Sequence, residues 1–226
     1  MFHKVPTVLL IALLAVSCEL DKPIRSLSGV RKTYSSNTRF RDIDKLIESS
    51  LAVNRDIAGA SIFYLGKYLQ NLDKLRAEQK LKKEIEAEVN IKIAEIQSHL
   101  QKMFYVNADF NLRLLSLHAI GNIQNQDTLH FFSKILTEGN SGEILLVLEK
   151  IAEYFTEESI RQNKTNYDFT ETLHALNSAS QNAKAPVSYR IIQILKLFTD
   201  NPQASTILSQ LPSRTFDPIA LSILND

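Results

Sequence analysis

RLLSLHAI, residues Arg113 to Ile120, decides how this chain is read. Its apolar positions are Leu114, Leu115, Leu117 and Ile120, which at about 100° per residue form one broad stripe on a helix. The spacing returns in ILLVLEKI at Leu145, Leu146, Leu148 and Ile151. It returns again in RIIQILKL at Ile191, Ile192, Ile194 and Leu197, and more loosely in SIFYLGKY at Ile62, Phe63, Leu65 and Tyr68. Shared periodicity alone marks only amphipathic helices, so the segments between the copies carry the further information.

Between Ile120 and Ile144 the sequence predicts a second short helix, Gln126 to Leu136, with Leu129, Phe132, Ile135 and Leu136 apolar. Gly121-Asn122 precedes it and Gly139-Asn-Ser-Gly142 follows. Helix, tight turn, helix, loop, helix is the pattern of stacked hairpins, none of which can bury its apolar face alone. Arg113 through Ile123, ending in Ala119-Ile120-Gly121-Asn122, resembles the second helix of a HEAT-type repeat, and the resemblance extends over Asp109 to Phe155. It implies an all-α fold, an irregular α-solenoid of stacked helical hairpins over residues 42–226. The copies step from Ile62 to Leu114, Leu145 and Ile191, by 52, 31 and 46 residues. That uneven spacing leaves a TPR-like or other irregular helical array as the alternative.

Punctuation extends the helical reading. Asp200-Asn-Pro202 caps a short helix to Gln210, Asp217-Pro218 opens another with Ile219, Ile223 and Leu224 on one face, and Pro186 opens the helix holding Ile191. Gln162 to Asn166 and Asn177 to Ala185 read as exposed loops. Leu69 to Phe104 lacks Gly and Pro and is predicted as a long helix, roughly 54 Å if unbroken. Its stripe is Leu81, Ile85, Val89, Ile96, Leu100 and Met103, with Lys82, Lys83, Glu84, Glu86 and Glu88 toward water. Gln79, Lys82 and Glu86 interrupt any heptad, so the helix is read as folding back on its own domain, with self-association as the rival.

The N-terminus has a different character. His3 and Lys4 precede a mostly apolar run, Val5 to Val16, of roughly 18 Å as a helix. A bilayer core is about 30 Å thick, so this run fits an export signal rather than a spanning helix. Ala15-Val16-Ser17-Cys18 follows, and Cys18 is the single cysteine. This ending resembles the lipobox of bacterial lipoproteins, although Ala15 stands where leucine is commonest. The resemblance implies a signal peptide over residues 1–17, a cut before Cys18, and diacylation of its thiol. Two acyl chains hold a protein on a membrane where one does so only marginally. Glu19 rather than aspartate follows the cysteine, which by the same resemblance favours the outer membrane of the bacterial cell envelope. Residues 18–41, polar and carrying Lys22, Arg25, Arg31, Lys32, Arg39 and Arg41 with Pro23 and Gly29, are read as the lipidated N-terminus and a flexible tether.

Bulk composition narrows the function classes. Of 226 residues 44% are hydrophobic, enough for a sizeable core, and six glycines are too few for a hairpin-rich β fold. Lys and Arg number 26 against 25 Asp and Glu, for a net charge of +1. A balanced chain lacks the clustered cations that nucleic acid demands, so no nucleic-acid partner is expected. HExxH, Walker and GxGxxG patterns are missing. His99, His118, His130 and His174 lack metal-ligand spacing, and His118 sits among apolar positions as a packing residue. No catalytic residue, cofactor or metal is assigned, and Cys18, the lipidation site, is the one candidate functional residue.

The sequence therefore reads as a lipid-anchored protein-interaction module rather than an enzyme. Its expected partners are membrane lipid, through acylated Cys18, and another protein not named by the sequence. The rivals are an envelope assembly subunit joined through the long helix and, behind it, a cell-wall-acting enzyme. Both a monomer and a self-associating chain fit the pattern.

Overall fold

A computed structural model describes residues 24–35, 41–77, 83–156, 167–181, 183–198, 201–211 and 222. Among them there are helices and turns and no strand, so the fold is all-α. In chain order the helices are α1 (Leu27–Ser35), α2 (Arg41–Ser50), α3 (Arg55–Ala77), α4 (Lys83–Val106), α5 (Phe110–Ile120), α6 (Gln126–Glu138), α7 (Ser141–Ala152), α8 (Thr170–Ser180), α9 (Val187–Lys196) and α10 (Pro202–Gln210). A 3-10 turn, η1 (Glu153–Phe155), extends α7. The signal segment, Cys18 and the Gln162–Asn166 loop lie outside the described residues.

The chain divides into two compact units, with the boundary inside α3 between Tyr64 and Leu65. In the first, α1 packs against α2, and Val30, Ile43, Leu46, Ile57 and Ile62 are buried. The Ser49 and Ser61 hydroxyls, 2.7 Å apart, tie α2 to the start of α3. The helix α1 falls inside the stretch read as tether. Its cause is local: the Ser26 hydroxyl accepts the Gly29 amide at 3.1 Å, capping the helix, and Val30 is wholly buried. Gly29 thus sits within a helical turn rather than breaking one.

The second unit, from Leu65 onward, is built on next-but-one packing. α5 packs against α7 and α7 against α9, while α6 packs against α8 and α8 against α10. Sequential neighbours α4 and α5, α6 and α7, α8 and α9, and α9 and α10 also pack. Two contacts extend these rows toward the N-terminus. Gly66 of α3 abuts Ala119 of α5, and the Phe104 ring of α4 meets Phe131 of α6 edge-on at 5.7 Å. One row is therefore α3, α5, α7 and α9, and the other is α4, α6, α8 and α10. The four sequence copies fall on the four helices of the first row.

Caps set the register. Asp109 accepts the Asn111 and Leu112 amides at the head of α5, and Asn201 accepts those of Gln203 and Ala204 at α10. At α7, Asn140 accepts the Gly142 and Glu143 amides while the Glu143 carboxylate accepts the Asn140 amide, a capping box. Buried Gln97 of α4 donates to Thr128 Oγ1 at 2.9 Å and accepts from Asn125 Nδ2 at 3.0 Å, fixing the head of α6. Beyond residues 157–166 the chain is held again at Gln124–Gln126. Tyr167 donates to the Gln124 carbonyl at 2.6 Å, and the Gln126 side chain pairs reciprocally with the Asp168 backbone. Tyr154, Phe155, Tyr167, Phe169 and Phe198 form a continuous aromatic cluster there.

Three readings change in detail. The long helix appears as α3 and α4, with residues 78–82 outside the described set. Of its stripe Val89, Ile96, Leu100 and Met103 are buried, joined by Ile93, which lies four residues after Val89 and three before Ile96, but Ile85 is 42% exposed. The loop expected from Asn177 begins only after Ser180, because Leu173 and Leu176 are fully buried and hold α8 for another turn.

Candidate functional site

The site is built from the row α3, α5, α7 and α9. In its repeated stripe the third apolar place is always sealed: Leu65, Leu117, Leu148 and Ile194 are at most 1% exposed. The first two places differ between helices. On α9, Ile191 and Ile192 are buried, whereas Leu114 and Leu115 on α5 and Leu145 and Leu146 on α7 are only half-buried. α5 packs against α7, so these four half-buried leucines lie on neighbouring helices. A helix needs roughly a 100° stripe to bury itself; apolar side chains beyond that width are left for another surface.

Charge borders these leucines. Lys67 of α3, Lys150 of α7 and Glu153 of η1 lie within electrostatic range of His118 on α5. Partial burial lowers the His118 pKa first, and the Lys150 and Lys67 ammonium groups lower it further, with Glu153 opposing. Lys150 is nearly buried and donates to Glu153 at 2.9 Å, its aliphatic stem lying over Gly121. His118 itself is exposed, a surface residue of α5 rather than the packing residue expected of it. Glu149 is exposed beside Lys150 in the chain.

The other row turns a polar surface outward. Asp127, His130, Lys134, Glu171 and His174 are exposed on α6 and α8. His130 Nδ1 and Glu171 Oε2 meet at 2.5 Å, and the Ser133 and Thr172 hydroxyls at 3.1 Å, stitching α6 to α8. The His130–Glu171 pair joins residues 41 apart, beyond the reach of any spacing rule. Among the described residues no group of three His, Cys, Asp or Glu could hold a metal ion. The described residues line open hollows of about 260 Å³ beside Gln101, His130 and Lys134 and of about 390 Å³ among Leu136, Ser141, Ile144, Ser178, Lys184 and Val187.

Cys18, the residue singled out in the sequence, lies outside the described residues. The structure adds a pair that sequence reasoning missed, Arg113 and Glu143, which locks α5 to α7 behind the leucine face. The Asn140-x-x-Glu143 capping box is a readable signal for one half of it; Arg113 has none. Among the described residues no helix is long and apolar enough to cross a membrane. No protein-family model matches this chain, and no curated protein matches it.

Proposed function

We propose that this chain is a bacterial lipoprotein, anchored through acylated Cys18, whose helices form an irregular α-solenoid that binds another protein in the cell envelope. The next-but-one packing in both rows supports the solenoid reading, because that is how stacked hairpins close one another's cores. The run Val5 to Val16 and the Ala15-Val16-Ser17-Cys18 ending support the anchor.

One observation carries the binding role: Leu114, Leu115, Leu145 and Leu146 remain half-open on α5 and α7 while the opposite row presents charged and hydroxyl groups. Apolar side chains left partly open on neighbouring helices, with polar groups around them, are what an interaction face is built from. The test is site-specific photo-crosslinking in intact cells from Leu115 and Leu146, with Glu171 on the other row as control. Discrete adducts from the two leucine positions, lost on Leu114→Asp, support the role; adducts equal at all three positions sink it. Cys18→Ser with labelled fatty acid tests the anchor separately, and wild-type chain that takes up no label rejects it.

The assembly reading retains one observation, the exposure of Ile85 and Ile91 on α4 at 42% and 66%. Light scattering of the purified chain distinguishes it, since a monomer rules out self-association through α4.

A further inference from the structure

Burial gives the row a register that sequence spacing does not. Ser116, Leu117, Ala119 and Ile120 are buried on α5, and Val147, Leu148, Lys150 and Ile151 on α7. The same pattern on α9 is Ile191, Ile192, Ile194 and Leu195, two residues earlier than the repeated stripe places it. On this register Leu114 and Leu115 answer to Leu145 and Leu146 on α7 and to Tyr189 and Arg190 on α9. On α3 Leu65, Gly66 and Leu69 take the buried places, so Lys67 answers to His118, Glu149 and Gln193. Every one of these outward residues is half-buried or exposed, and the charge of Lys67 reaches His118. Lys74 follows Lys67, and Lys196 follows Tyr189, by seven residues, which is about two turns and the same helix face.

Charge is divided between the rows. From Leu65 onward, the row α3, α5, α7 and α9 with η1 contains the neutral pairs Asp73–Arg76, Arg113–Glu143 and Lys150–Glu153. Beyond these it carries Lys67, Lys74, Arg190 and Lys196 against Glu149. The other row, from Ile85 onward, carries Glu86, Glu88, Asp127, Glu138 and Glu171 against Lys102 and Lys134, with Lys92 paired to Glu95. A chain of net charge +1 is thus cationic on one row and anionic on the other. The cations stand on α3 and α9, and the half-open leucines lie between them on α5 and α7. Packed helices lie 8–10 Å apart, so three steps along the row separate these ends by about 24–30 Å.

We infer that the partner segment received by this row is acidic and crosses it, with apolar side chains over Leu114, Leu115, Leu145 and Leu146 and carboxylates at its two ends, one toward Lys67 and Lys74, the other toward Arg190 and Lys196. The inference rests on the interaction role proposed above and specifies the chemistry of the partner. Gln193 prepares one end: it accepts from Arg190 Nη1 at 2.7 Å and donates to Tyr189 Oη at 2.8 Å, which holds the guanidinium in place before a ligand arrives. A guanidinium has five N–H donors, so this bond leaves donors for a carboxylate. Glu149, among the leucines, opposes a uniformly anionic surface such as a bilayer, whereas a peptide segment can confine its carboxylates to its ends.

Fluorescence anisotropy of the full chain with synthetic peptides tests it. The probe is a peptide of about ten residues, about 33 Å when extended, with leucines at its centre and glutamates at both ends. Its counterparts carry glutamines or lysines at the ends. The glutamate peptide should bind about tenfold more tightly than the glutamine peptide, and the preference should shrink in high salt. The Lys67→Glu, Arg190→Glu chain should reverse the order and prefer the lysine peptide, which a chain that had merely failed to fold could not do. Equal affinity for the glutamate and glutamine peptides overturns the inference. If Leu114→Asp, with unchanged circular dichroism, still abolishes that binding, the interaction role stands and only the acidic partner is lost. If no peptide binds, or Leu114→Asp changes nothing, the interaction role falls with it. Co-sedimentation with phosphatidylglycerol vesicles that the charge-reversed chain loses would overturn the inference by assigning the row to a bilayer. A dimer in light scattering that charge reversal dissolves would overturn it by assigning the row to the anionic side of a second copy.

Discussion

Arg113 Nη2 lies 2.6 Å from Glu143 Oε1, joining α5 to α7 directly behind the leucine face. The two ends are unequally placed: the Glu143 side chain is 1% exposed and that of Arg113 33%. Glu143 Oε2 accepts the Asn140 amide, while Oε1 has no hydrogen-bond partner and faces only the guanidinium. The guanidinium also sits over the Phe104 ring, 4.9 Å from its centroid, so one arginine connects α4, α5 and α7.

Removing the cation should therefore cost more than neutralising the anion. Breaking a buried pair leaves an uncompensated charge at about 3–5 kcal/mol, and the partial exposure of Arg113 lowers this to about 2 kcal/mol for Arg113→Met. Glu143→Gln keeps an acceptor for the Asn140 amide and strands no charge, so about 1 kcal/mol is expected. Urea unfolding of both variants and of the double variant checks this. The double variant should be more stable than Arg113→Met alone, and the reverse order would show that the pair is not what holds α5 to α7.

The polar link between α4 and α6 gives a second expectation. Gln97 is 4% exposed and exchanges hydrogen bonds with Asn125 and Thr128, and Asn125 in turn caps α6 by accepting the Thr128 amide at 2.8 Å. Gln97→Leu should destabilise the chain by about 1–3 kcal/mol, because the Asn125 amide loses its acceptor in a place where water has little access. Asn125→Ala should lose the cap as well as the link and fall lower still. Guanidinium denaturation curves compare them, and equal midpoints for wild type and Gln97→Leu would contradict the assignment.

Two glycines separate crowding from helix propensity. An added Cβ at Gly66 would stand 2.9 Å from both Ala119 Cα and Ala119 Cβ and 2.8 Å from Asn122 Nδ2, where backbone has no room to yield. Gly66→Ala should push α3 off α5 and cost about 2 kcal/mol despite Ala's better helix propensity. At Gly142 the nearest atom is Phe110 Cζ at 3.1 Å, on a ring that is 43% exposed and free to rotate aside. Gly142→Ala should be neutral or stabilising by up to about 1 kcal/mol. Thermal melts that rank the two the other way would remove the close α3–α5 approach from the account.

What could be read in the sequence was what each helix must do for itself. The stripe of RLLSLHAI and its three copies marks the α3, α5, α7 and α9 row because every member seals its third apolar place, Leu65, Leu117, Leu148 or Ile194. The Asn201 cap and Pro202 marked the start of α10, since a cap acts within one turn. Partners across space left no such trace: Arg113 with Glu143, His130 with Glu171, Gln97 with Thr128. Burial at a stripe's margin was also hidden. Ile85 and Leu197 obey the helical period, yet both are 42% exposed, because exposure depends on which neighbour arrives. The helix α1 was obscured by Pro23 and Gly29, although the Ser26 cap and Val30 were readable signs of it. The leucine face was visible as a list of apolar places; that four of them stay half-open required the packing.

The histidines predict how stability responds to acid. The His118 pKa is lowered by burial first, then by Lys150 and Lys67, and that of His99 by burial first and then by Lys102. In both, the folded chain binds the proton less readily than the unfolded chain, whose histidines titrate near 6.5. Just below pH 6.5 the unfolded state therefore carries more protons, and linkage makes stability rise with pH across that window. The contribution is complete above pH 6.5 and is lost as the pH falls toward the lowered folded values. Melting temperatures should accordingly drop between pH 7 and pH 5, and the drop should shrink in His118→Gln and shrink further in the His99→Gln, His118→Gln pair. Carboxylates begin to titrate below that window, so the comparison between variants, rather than the slope of the wild type, isolates the two imidazoles. A double variant whose melting temperature falls as steeply as the wild type's would show that the cations around His118 do not govern its protonation.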